Sequence, residues 1–148
     1  MGMYTGLRFK GVVKKQFREE FEPIALKGCW EEAKDKKINN FANTSRASFI
    51  PCGALAYMPE EWEDTEEKPT DGFERTYNKE SGVWTFQCSL KNYDDTIEIF
   101  LTLAPYFIER VEHCEVFYEE WIYSKKYELI GNTIVLTNSE FIKYGYDC

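Results

Sequence analysis

The sequence has a single histidine, His113, and no CxxC pair among its five widely spaced cysteines, Cys29, Cys52, Cys88, Cys114 and Cys148. Finger-type zinc sites need Cys/His ligands at close, repeated spacings, so no metal site is expected. An odd, scattered set of cysteines also gives no disulfide framework, and reduced thiols are the simplest reading. Phosphate-cradling glycine motifs are missing: there is neither G-x-x-x-x-G-K-S/T nor G-x-G-x-x-G, and HExxH and EF-hand loops are absent too. A nucleotide-dependent enzyme is therefore not expected, nor any cofactor. Long hydrophobic runs are also lacking. None approaches the ~20 residues that cross a bilayer, and the first residues carry no apolar leader stretch. The expectation is a cytoplasmic protein that does not enter a membrane.

Aromatic residues are plentiful: 11 Phe, 10 Tyr and 4 Trp make up 17% of the 148 residues. A chain of this length folds as one domain without staples, and these rings supply ample core. Net charge is −8 but uneven, since residues 1–47 hold ten Lys/Arg against six Asp/Glu and the remainder eight against twenty. A +4 opening and a −12 remainder repel phosphate backbones overall, which argues against nucleic acid as a partner.

Periodicity places a strand at residues 4–13, where Leu7 and Phe9 alternate with polar neighbours. Helical spacing follows at 14–27, ended or kinked by Pro23, and again from Trp30 to Phe41. Residues 48–59 are apolar but broken by Pro51 and Gly53, which predicts an edge or bulged strand. Residues 60–82 have no period and read as a long surface loop. VWTFQCSLK, residues 83–91, alternates cleanly and predicts a strand, followed by a helix that Asn92 and Asp94 can cap. Its buried stripe would run Ile97, Phe100, Leu101, Ala104, Ile108 and Val111, with a kink at Pro105. From Glu112 the pattern is strand again. A hairpin is signalled at Gly131-Asn132 between YELI and TIVLT, and the last residues read as a packed tail. The sum is a single α+β domain over 1–148, a mainly antiparallel sheet of five or six strands with two or three helices on one face.

The stretch from Trp84 to Phe100, WTFQCSLKNYDDTIEIF, followed by a proline-containing helix end and the EVFYEE strand, resembles small uncharacterised proteins of bacteria and their phages. The resemblance covers the last half of the chain. It implies a phage or mobile-element origin, and it carries over no catalytic residue.

Two sets of residues are candidates for function. PEEWEDTEEKP, residues 59–69, sets Glu60, Glu61, Glu63, Asp64, Glu66 and Glu67 around Trp62. Acidic charge speeds encounter with a basic protein surface while a tryptophan can anchor it, although the same composition suits a solvated loop whose ring packs back on the domain. The reading favoured is a small interaction protein, an inhibitor or immunity factor, that docks through this run. The alternative is a small-molecule binder or enzyme with a cleft on the aromatic C-terminal sheet, using His113, Glu119, Trp121 and Tyr123. Glu119 or Glu120 would share a strand face with Phe117, Trp121 and Tyr123, where apolar company perturbs a carboxylate. His113 and Cys114, as strand neighbours, point to opposite faces, so a thiol and base pair would need Cys88 or Cys52 instead. A homo-oligomeric structural protein is a third reading.

Overall fold

The computed structural model describes residues 3–55, 57–59, 62 and 73–144. Strands β1 (Tyr4–Val13), β2 (Thr76–Tyr77), β3 (Val83–Lys91), β4 (Ile108–Tyr118), β5 (Lys125–Ile130) and β6 (Thr133–Asn138) form one open sheet in the order β2-β3-β1-β4-β5-β6. All pairings are antiparallel. The fold is α+β. The strands at 4–13 and 83–91 stand where alternation put them. The Gly131-Asn132 hairpin forms as well, with Gly131 at the positive φ of +64° that opens a two-residue turn.

Among the described residues, four short helices, α1 (Glu22–Lys27), α2 (Lys36–Asn39), α3 (Phe49–Cys52) and α4 (Thr96–Leu103), alternate with 3-10 turns. Pro23 opens α1 rather than ending a longer helix, because its missing N–H costs nothing in a first turn. The stretch from Trp30 to Phe41 is broken: Asp35 caps α2 by accepting N–H bonds from Lys37 and Ile38, and 3-10 turns lie on both sides. The strand expected in 48–59 is instead α3 and irregular chain. Pro51 has no N–H to give a ladder, and Gly53 passes so close to the Ser89 carbonyl that a Cβ there would collide with it. Thr76 and Tyr77 pair with β3 as a short strand inside the span read as loop. The last helix stops at Leu103, and Pro105 sits in a 3-10 turn, so Ile108 and Val111 belong to β4.

The helices lie on the sheet face made by Leu7, Phe9, Val13, Trp84, Phe86, Cys88, Leu90, Cys114 and Val116. Phe9, Phe21, Trp30, Trp84, Phe100 and Phe107 meet there mostly edge to face or tilted, with neighbouring centroids about 5–6 Å apart. Each buried indole also needs an acceptor. Trp30 Nε1 donates to the Ile50 carbonyl at 2.8 Å, and Trp84 Nε1 to the Ala25 carbonyl at 3.0 Å, which ties the helical layer to the sheet.

By strand alternation Arg8, Gln87 and Glu115 point to the opposite face, in register with one another across β3, β1 and β4. That face is covered by Met58 and Trp62 from one side, Phe73 above Arg8, and the segment from Phe141 to Tyr144.

Candidate functional site

Glu115 is fully enclosed at 0% exposure. Its Oε1 lies 3.0 Å from His113 Nε2, its Oε2 accepts from the Tyr144 hydroxyl at 2.8 Å, and Ser124 supplies a further hydrogen bond. Burial pushes this carboxyl up, but the hydrogen bonds from His113, Ser124 and Tyr144 outweigh it and hold Glu115 below its ordinary range. Tyr144 moves the other way: burial first, then the Glu115 charge, raises its phenol well above the usual value. The result is a carboxylate held in its charged form around neutral pH, which fastens the Tyr144 segment to β4.

Beside it on β1, Arg8 is also buried. Its Nε donates to Gln87 Oε1 at 2.9 Å, and its guanidinium lies 4.8 Å from the Trp62 ring and 4.7 Å from the Phe73 ring. A guanidinium between two π-faces keeps its charge at low desolvation cost. Gln87 completes the layer by donating from Nε2 to the Trp62 carbonyl at 2.5 Å.

Trp62 is thus held by its backbone and its ring together, with 0% of its surface exposed. Met58, Phe117 and Tyr144 surround the ring. Among the described residues its Nε1 has no partner within bonding distance, although it stands near enough to the Tyr144 oxygen to favour the phenolate slightly. Gly6 on β1 is its seat, since a Cβ there would come within 2.7 Å of the indole. A ring enclosed this way by its own chain is not open to a partner in this arrangement. The six acids of the run, Glu60, Glu61, Glu63, Asp64, Glu66 and Glu67, lie outside the described residues.

The residues expected to form a cleft do not converge. His113 turns to Glu115 in mid-strand, whereas Glu119 lies six residues further along, ~20 Å of extended chain. There its carboxylate accepts the Tyr4 N–H at 2.6 Å. Trp121 packs against Tyr118 and under the Lys125 ammonium, and Tyr123 bridges to Lys143. Cys88 and Cys114 sit on the helical face, away from His113, and burial raises both thiols far above their ordinary range. Cys52 lies in the helical layer against the Leu26 carbonyl. Among the described residues no three His, Cys, Asp or Glu side chains gather as a ligand set, and no helix is long and apolar enough to cross a membrane.

A groove of about 450 Å³ opens at the end of the central strands where Tyr4 pairs with Lys91, between Tyr4, Arg46, Phe49, Ser89 and Lys91. Phe49, Tyr57 and Tyr93 keep 46%, 71% and 56% of their surfaces exposed. The Tyr57 ring lies 5.4 Å from that of Tyr4, Lys91 Nζ is 5.8 Å from the Tyr4 ring, and Arg46 stacks over Tyr93 while pairing with Asp94 at 3.3 Å. Cations with open aromatic faces suit an anionic or π-bearing ligand.

Two charged residues central to this layer, Arg8 and Glu115, were missed from the sequence. Each stands alone between apolar neighbours, Leu7 and Phe9 or Cys114 and Val116, and that isolation was the available signal. Compared with protein-family models, with curated proteins and with solved structures, the chain matches none.

Proposed function

We propose that this chain works by binding a protein with a basic surface, and that the carboxylates of the run at residues 60–67 are what the partner meets. The observation that supports this most is the burial of Trp62. The acidic run is fastened to the sheet at its own third residue, so the tryptophan acts as an internal support and the contact falls to charge. Fixing one point of a segment before binding lowers the ordering cost of association. The −12 balance of residues 48–148 would steer a basic partner toward it. An inhibitor or immunity role in a phage or mobile element fits such a surface. The test is capture from cell extract, with nuclease present, by wild type and by a variant with all six acids changed to Gln or Asn. A protein held by wild type alone supports the proposal, and equal capture by both removes it.

A second reading is favoured by the groove between Tyr4, Arg46, Phe49 and Lys91: a small anionic ligand bound there. Thermal unfolding across a metabolite and nucleotide library checks it, since a ligand at 100 times its Kd adds about 2.7 kcal/mol to the folded state.

A further inference from the structure

The two edges of the sheet are unlike. β2 is two residues long, and shortness guards an edge against pairing. β6, at the other edge, reads TIVLTN: six residues with no charge, no proline and no glycine. Natural edges of that length usually carry a lysine, a proline or an inward charge. Its only irregularity is a register shift beyond Leu136, which leaves Thr133–Leu136 as regular ladder against β5. Two large apolar side chains at this edge stay open, Ile130 at 60% and Leu136 at 46% exposure.

The hairpin fixes which backbone groups face outward. Ile130 and Thr133 flank a two-residue turn and are paired, so Thr133 turns its N–H and C=O toward β5. Alternation then turns those of Val135 inward and those of Ile134 and Leu136 outward. Among the described residues nothing pairs with that outward row.

We propose that β6 is a homodimer interface: a second copy of this chain adds its own β6 antiparallel, about a two-fold axis at Val135, to make one continuous sheet. In this register Ile134 of each copy exchanges N–H and C=O bonds with Leu136 of the other, which uses the outward groups on both. Val135 meets Val135 of the second copy at a non-hydrogen-bonded site, where Cα atoms approach to about 4.5 Å. The pairing is self-complementary, because apolar faces apolar and no charge faces its own copy. That matters in a chain of net charge −8, for which a charged edge would place like charges opposite one another. Leu136 would lose its exposure against Ile134 of the second copy. Long-range repulsion between two acidic copies remains, so association should tighten as salt rises.

Sedimentation equilibrium, across a concentration series reaching the high micromolar range, is the experiment. Wild type should shift from 17.5 kDa toward twice that mass. Val135→Lys and Val135→Glu, each checked for its fold by circular dichroism, should weaken association at least roughly tenfold through like charges at the axis. Mixed together they should form a heterodimer. Leu136→Lys, at an exposed side chain, serves if a Val135 variant fails to fold, and it should also be monomeric. A wild type that stays at 17.5 kDa throughout, or folded edge variants that dimerise as wild type does, would overturn the proposal.

Discussion

Arg8 stands directly opposite Glu115 across the β1–β4 ladder, and both are enclosed, at 7% and 0% exposure. Opposite charges on facing strand positions have Cβ atoms ~5 Å apart, so each lies in the field of the other. Each also has its own hydrogen-bond partners, Gln87 for Arg8, and His113, Ser124 and Tyr144 for Glu115. A second sheet face that would ordinarily be wet is closed by this polar layer. The segments that close it are the ones that bring Trp62 and Tyr144 onto the sheet.

Removing the Glu115 carboxylate takes away the acceptor that His113, Ser124 and Tyr144 share. Glu115→Ala should destabilise the protein by about 3–5 kcal/mol, read from the midpoint of urea unfolding. The same carboxylate sets an acid limit. Its folded pKa lies below its unfolded one, so its contribution is fully present above the ordinary Glu value of about 4.3 and is lost as pH falls through the folded value. Wild type should therefore lose stability below that pH more steeply than Glu115→Gln, when melting temperature is followed against pH.

Trp62 gives a fluorescence prediction. Trp30, Trp62 and Trp84 are at most 1% exposed, and Trp121 is only partly buried. Acrylamide should therefore quench wild type weakly, and Trp121→Phe more weakly still. If Trp62 were open to solvent, Trp62→Phe would remove a strongly quenched component instead. Trp62→Ala should cost about 3–5 kcal/mol, the range for emptying a buried aromatic site. Gly6→Ala should disturb the same ring from beneath.

The described thiols divide by depth. Cys88 and Cys114 are fully buried with raised thiols, while Cys29 and Cys52 are partly accessible. Native protein should leave Cys88 and Cys114 unmodified by a thiol reagent, and both should react once urea unfolds the chain; peptide mapping reads the difference.

Where one face alone was apolar, local pattern carried the fold. Val83–Lys91 and the Gly131 hairpin follow from alternation and turn chemistry, which depend on neighbours in sequence. Phe49–Cys52 and Ile108–Val111 went astray because tertiary contacts decide them: Gly53 against the Ser89 carbonyl, and β4 recruited to the open side of β1. Glu115 was passed over in favour of Glu119 because both belong to one acidic, aromatic stretch of sequence, EVFYEE. Only the closing of the second face by residues far away in sequence makes one of them buried. Trp62 had two readings from composition, and Gly6, more than fifty residues earlier, provides its seat.

The surface a partner meets is the most direct thing to measure. Capture from extract should be run with wild type, with the six-acid variant of residues 60–67, and with Arg46→Glu/Lys91→Glu at the groove, all at matched fold by circular dichroism. Loss of the captured protein in the six-acid variant alone is expected. Its loss in the groove variant, with the six-acid variant still binding, would place function on the aromatic and cationic groove and contradict the acidic run as the docking surface.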